Sequence, residues 1–203
     1  MDKNDWFQVF GILATFSASF VALFKDWIQS WFYKVKFEFK IPRDGFDEEV
    51  VNNQAIRYYT NLEVFNTGNL YAEDCFIYLE SACFYIDNEN AEMEIRRQLV
   101  PITWDDQNKA TGIAPNSHRV IEVFKLLAPV IVSSPDTDTE SVPAKCIFAG
   151  TTENDAKAGK WEVTYSVNSK NGTTQRFTIV VTYNGEWKSR KSDIKSRLDV
   201  KLK

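Results

Sequence analysis

The stretch WEVTYSVNSKNGTTQRFTIVVTY, Trp161 to Tyr183, decides the fold. Trp161, Val163, Tyr165 and Val167 alternate with polar residues before the turn composition, and Phe177, Ile179, Val181 and Tyr183 alternate after it. A period of two marks a half-buried strand, and Asn-Gly between two such runs is the preferred two-residue hairpin turn. The reading is an antiparallel hairpin turning at Asn171-Gly172. With Thr173 the same residues form a glycosylation sequon, for which the turn already accounts.

Working outward, the pattern repeats. KVKFEFKI (Lys34 to Ile41) places Val35, Phe37, Phe39 and Ile41 on one face. AIRYYTNLEVF (Ala55 to Phe65) alternates and closes on Asn66-Thr67-Gly68-Asn69, a turn composition. AEDCFIYLE and SACFYI read as one strand that continues or kinks near Glu80-Ser81. RRQLVPITW (Arg96 to Trp104) carries Pro101 inside it, the mark of an edge or a bulge. HRVIEVFKL (His118 to Leu126) and AKCIFAG (Ala144 to Gly150) complete the set. Nothing between Pro42 and Glu186 sustains a helical period, so seven to nine short strands predict a mainly β fold. The acidic stretches DGFDEEVVNN, SSPDTDTES and TTENDAKAGK read as loops.

NLEVFNTGNLYAEDCFIYLE, residues 61–80, resembles the immunoglobulin-like repeats of the CARDB kind. There a strand ends in Asn-x-Gly, three residues separate it from a small residue, and the next strand opens. Here those positions are Asn66, Gly68 and Ala72, followed by Cys75, Ile77 and Leu79. The resemblance implies an immunoglobulin-like antiparallel β-sandwich, with a small β-barrel as the second choice. Such repeats usually lie outside the cell, whereas the charge pattern described next points inward.

The amino-terminal part is of another kind. From Trp6 to Phe24 there are nineteen residues without a charge, about 28 Å of helix, close to the thickness of a bilayer core. Trp6 stands at one end and Trp27, Trp31 and Tyr33 beyond the other, where amphipathic rings prefer the headgroup layer. MDKND and KDWIQSWFY lack the basic start and small-residue exit of a cleaved signal peptide. The expectation is one transmembrane helix. Lys25, Lys34, Lys36, Lys40 and Arg43 follow it and only Lys3 precedes it, which puts the carboxyl-terminal domain in the cytoplasm of an inner or plasma membrane.

Within that helix Gly11, Thr15, Ala18 and Ala22 fall on one narrow face, with Ala14 and Ser19 on its edges. Large side chains occupy the opposite face. In lipid, association depends on close packing, which small residues permit, so the seam predicts a homo-oligomer.

Three regions follow: 1–33, transmembrane helix and interfacial extension; 34–185, β-sandwich; 186–203, a basic tail. The tail, EWKSRKSDIKSRLDVKLK, carries seven Lys or Arg against three acids. It reads as a solubilising segment, or as one drawn to anionic lipid.

Composition narrows the function. The 203 residues carry a net charge of −4, which argues against nucleic acid as a partner. Cys75, Cys83 and Cys146 form no paired framework and suit a reducing compartment. With one histidine, His118, no histidine metal cluster is available. No phosphate-cradling glycine motif occurs. Asp136, Asp138 and Glu140 alternate as calcium ligands can, but without the glycine and terminal Glu of an EF-hand they read as a solvated loop. Arg96, Arg97 and Arg119 are candidates for an anionic ligand. Asp105-Asp106 reads as a turn.

The expectation is therefore a non-enzymatic single-pass membrane protein that presents a β-sandwich to a protein or small-ligand partner. It has no catalytic residues, cofactor or metal, and its contacts are the lipid bilayer and further copies of itself. The alternative resembles, in architecture, bacterial antiviral membrane effectors, whose β domain senses a small ligand and whose helices disrupt the membrane. Those have more than one span; this sequence has one.

Overall fold

The computed structural model describes residues 13–17, 19–21, 24, 25, 27, 34–86, 91–96, 101–105, 109–134 and 137–203. The chain divides into two units, Met1–Lys34 and Val35–Lys203.

The described residues of the first unit up to 27 are helical. Leu13, Phe16, Phe20, Phe24 and Trp27 are exposed, from 40% to 74%. On an ideal helix of about 100° per residue, positions with these spacings fall within an arc of about 80°. The Phe20 and Phe24 rings lie 4.5 Å apart and those of Phe24 and Trp27 6.4 Å apart. The hydroxyl of Ser17 donates to the carbonyl of Leu13 at 2.8 Å, satisfying it without water. Of the expected seam, Ala14, Thr15 and Ser19 are exposed. Gly11, Ala18 and Ala22 lie outside the described residues, as do Trp6, Trp31 and Tyr33. Among the described residues no helix is long and apolar enough to cross a membrane.

The second unit is mainly β. Its strands are β1 Phe37–Lys40, β2 Asp47–Val51, β3 Gln54–Asn66, β4 Ala72–Tyr85, β5 Ala91–Arg96, β6 Thr111–Ile113 and β7 His118–Leu127. They continue as β8 Val130–Ser134, β9 Thr137–Val142, β10 Lys145–Phe148, β11 Asn154–Asp155, β12 Gly159–Asn168, β13 Gln175–Tyr183 and β14 Leu198–Leu202. One six-stranded antiparallel sheet runs β1-β3-β7-β10-β11, with β2 also paired to β3; the other runs β14-β13-β12-β4-β5, with β6 also paired to β4. β8 and β9 form a separate hairpin. The two large sheets face one another across a common core, as the layers of a sandwich do.

Alternation sets which side chains enter that core. Tyr58, Leu62 and Val64 of β3 are buried, as are Trp161, Val163, Tyr165 and Val167 of β12 and Phe177, Ile179, Val181 and Tyr183 of β13. Rings cross between the layers: Phe39 lies 4.6 Å from Phe177, and Phe148 lies 5.2 Å from Trp161. AEDCFIYLE and SACFYI form one strand, β4. Its register against β12 shifts where Thr164 pairs with Ser81 and Tyr165 with Leu79, so Glu80 is the extra residue of a bulge.

Three expectations need correction. The β12–β13 hairpin exists, but it does not turn on a two-residue Asn-Gly. Pairing ends at Val167 with Gln175, leaving a longer loop. Asn171 serves that loop as a clamp. Its Nδ2 donates to the Tyr71 carbonyl at 2.8 Å, and its Oδ1 accepts from the Glu73 amide at 3.0 Å. A Cβ on Gly172 would stand 3.0 Å from that of Val35, so the glycine serves close approach.

The acidic stretches, second, hold strands. β2 lies in DGFDEEVVNN and turns into β3 through Asn52 and Asn53, both at positive φ (51° and 61°), the two-residue hairpin geometry. SSPDTDTES contributes β9, and TTENDAKAGK contributes β11.

Third, residues 186–203 are not a tail. Trp187 packs 5.0 Å from the ring of Tyr58, whose hydroxyl donates to the Lys188 carbonyl at 2.8 Å. The amide of Ala55 donates to the Ser189 carbonyl at 2.9 Å. Lys191 reaches Asp47 at 3.1 Å and Lys195 reaches Asp44 at 3.0 Å. A helical turn, Lys191–Ile194, buries Ile194, and β14 then buries Leu198 and Val200 against β13. The reason is a change of period. Ile194 fits a helical spacing, whereas Leu198, Val200 and Leu202 alternate.

Candidate functional site

The most built surface feature lies where the two sheets are joined along one side. The run Arg96–Trp104, expected as a strand, ends β5 at Arg96, and its described remainder crosses between the sheets as a strap. The Ile102 amide donates to the Ile77 carbonyl of β4 at 2.8 Å. The Asp105 amide donates to the Val120 carbonyl of β7 at 3.3 Å. Between these anchors Trp104 is buried, its Nε1 donating to the Cys75 carbonyl at 3.0 Å. Pro101 fits the start of such a strap, since it has no amide to lend to a ladder.

Beyond the strap, β7 carries a bulge. Thr60 of β3 pairs with Phe124 and Asn61 with Glu122, so Val123 is the extra residue. Its carbonyl accepts from the Ala149 amide at 3.1 Å and from the buried Tyr165 hydroxyl at 3.3 Å. That hydroxyl also reaches the Ala149 carbonyl at 3.3 Å, and burial pushes its pKa up. β10 leaves the sheet after Phe148 through a turn closed by the Thr151 amide on the Phe148 carbonyl at 2.9 Å. Gly150 sits there at φ 82°, a conformation glycine adopts at no steric cost.

Strap, bulge and turn enclose a cleft of about 440 Å³. Its apolar wall includes Ile102, Ile147, Phe148 and Ala149, and its charged groups are Asp105, Glu122 and Lys125. Lys125 Nζ lies 2.6 Å from Glu122 Oε1, while Arg57 Nη1 lies 3.2 Å from Glu122 Oε2 and its Nε 2.5 Å from Glu49. A ladder of alternating charge thus crosses β2, β3 and β7 and ends in the cleft. A second cleft, of about 260 Å³, is lined by Trp104, Asp105, His118, Arg119 and Val120. Asp105 belongs to both, and their β7 residues follow one another along the strand. His118 is held with its ring 4.7 Å from that of Phe65.

Of the candidates from sequence, Arg119 lines one cleft, together with His118, which was not a candidate. Arg96 is in β5, in the other sheet. Asp138 and Glu140 are in β9, and Arg97, Asp106 and Asp136 lie outside the described residues. Glu122, Lys125, Thr103 and Thr151 were not singled out. The signals for them were Pro101 inside a strand-like run and the Ala149-Gly150 pair after one. Among the described residues no group of three or more His, Cys, Asp or Glu could hold a metal ion.

Mainly antiparallel β architecture and a surface groove beside the strap define the molecule's class. No protein-family model, curated protein or solved structure matches the chain.

Proposed function

We propose that the chain is a non-enzymatic binding module held on a membrane by its amino-terminal helix, with the β unit in the cytoplasm. The observation that carries this reading is the exposed row Leu13, Phe16, Phe20, Phe24 and Trp27. An apolar aromatic row has no place in water but suits acyl chains, with tryptophan toward the headgroups. Ser17 closing its own hydrogen bond fits the same environment. The small-residue face Gly11, Ala14, Thr15, Ala18, Ser19 and Ala22 packs against further copies, which gives the module avidity. The Asn66–Gly68 turn supports an immunoglobulin-like identity for it.

The test is membrane extraction. Alkaline carbonate leaves the full chain in the pellet, and protease added outside intact cells spares the β unit. Replacing Gly11 and Ala18 by Leu abolishes cross-linked oligomers without releasing the protein. Release by carbonate overturns the anchor, and unchanged oligomers overturn the seam.

The groove favours one second reading, a signal-gated effector in which occupancy of the β unit rearranges the associated helices and permeabilises the bilayer. Overexpression then depolarises cells, and Gly11→Leu removes the effect. Harmless overexpression excludes it.

A further inference from the structure

Two Asn-Gly dipeptides occur in the chain, Asn171-Gly172 and Asn184-Gly185. This pair is the most open to deamidation, because glycine has no Cβ to keep its backbone nitrogen from the asparagine side chain. The structure uses the two differently. The Asn184 side chain accepts from the Glu186 amide through Oδ1 at 3.0 Å, a task an aspartate performs as well. Asn171 is used at both ends. The ladder between β12 and β4 stops at Asn168 with Phe76, and hydrogen bonds from the following loop carry the connection on. The Lys170 amide donates to the Glu73 carbonyl at 2.9 Å, the Glu73 amide donates to Asn171 Oδ1 at 3.0 Å, and Asn171 Nδ2 donates to the Tyr71 carbonyl at 2.8 Å. The Gly172 amide turns back to the Ser169 carbonyl at 3.4 Å, and neither Lys170 nor Asn171 has a positive φ, as in a type I turn. The third residue of such a turn has ψ of about 0°. Closing a succinimide needs the Gly172 nitrogen swung round to the side-chain side of the Asn171 Cα–C bond. The turn must therefore open before the ring can form.

We propose that Asn171 is a deamidation site, guarded by the fold while its side chain latches the loop to β4, and unable to latch again once converted. When the loop opens, the Gly172 nitrogen, its proton taken by hydroxide, attacks Asn171 Cγ; the Cγ–Nδ2 bond breaks and ammonia leaves. Water then opens the succinimide to aspartate or isoaspartate, so water is consumed and ammonia released. The new carboxylate still accepts from the Glu73 amide, but it has no proton to give the Tyr71 carbonyl, and acceptor faces acceptor. The loop then lifts from β4 and from the buried Val35, whose Cβ lies 3.0 Å from where a Cβ on Gly172 would stand. A passing opening of the loop thus becomes a permanent one, whether or not the chain is held on a membrane.

The experiment incubates the full chain at neutral pH, folded or in urea, and follows aspartate and isoaspartate at both dipeptides by mass spectrometry of digests. The expected result is conversion at position 171 at least tenfold faster in urea than in the folded chain. Equal rates, or no product at 171 in urea, overturn the proposal. Trypsin cleavage after the exposed Lys170 reads the latch. Asn171→Asp is cleaved there at least tenfold faster than wild type, and Asn184→Asp at the wild-type rate. Wild type converted at 171 without urea, enriched by anion exchange, is cleaved as fast as Asn171→Asp, and this sample does not depend on how the variant folds. Wild-type cleavage rates in the converted chain overturn the latch. Faster cleavage in Asn184→Asp as well makes the effect one of added charge and overturns it too.

Discussion

Asn66 shows how much one side chain can hold. It is buried at the end of β3, its Nδ2 donates to the carbonyls of Leu70 (2.7 Å) and Ile113 (3.0 Å), and its Oδ1 accepts from the Gly68 amide at 3.1 Å. The Asn-x-Gly pattern is thus an Asx turn that also ties β3 to β6. Asn66→Ala strands these backbone groups and should cost about 1–3 kcal/mol in urea unfolding. An effect below a few tenths would show that water replaces the amide. Cysteine chemistry is equally local. Burial raises Cys75 to about 12 and Cys146 to about 11, so neither supplies thiolate at neutral pH. A thiol reagent at pH 7.5 should leave both unlabelled in the folded protein and label them on unfolding. Labelling of either under native conditions would mean that its strand opens.

Among elements, the segment after Tyr183 makes the sharpest prediction. Ile194 is fully buried, and Ile194→Ala should cost about 2–5 kcal/mol, the ordinary range for emptying a core site. A cost under ~1 kcal/mol would restore the solvated tail. The same segment shows what sequence could convey. Strands with one buried face, such as β3, β12 and β13, were legible because a slip of one residue would turn every apolar side chain outward. β14 was masked by its basic residues, which occupy the outward positions of a short strand and read as a charge run. β2 and β9 were hidden in the same way by acids. The groove was less legible still. It depends on a strap with one ladder bond to each sheet and on a one-residue bulge, and neither leaves a period. Arg119 could be named as a candidate for an anionic ligand, but its meeting with Asp105 is tertiary.

For the molecule as a whole, several carboxylates hold pKa values below their ordinary range: Asp44 through the Lys195 hydrogen bond, Asp155 through Lys145, and Glu162 through Lys160. Since these groups bind protons more readily in the unfolded chain, stability is full above the ordinary carboxylate range and falls as pH drops through and below about 4. Melting temperature should be level from pH 6 to 8 and decline below about 5, with a shallower decline in Asp44→Asn. An unchanged acid limb in that variant would remove Asp44 from the account.

The closing of the core by residues 187–202 also sets an order on biosynthesis. Phe37 takes its amide partner from Gln175, 138 residues later, and β13 gains its outer neighbour only with β14. At ribosomal speeds of about 5–20 residues per second, the aromatic amino-terminal segment leaves the exit tunnel some 10–30 s before the β unit can shut. Chaperone capture therefore acts on a nascent chain whose hydrophobic interior is still open.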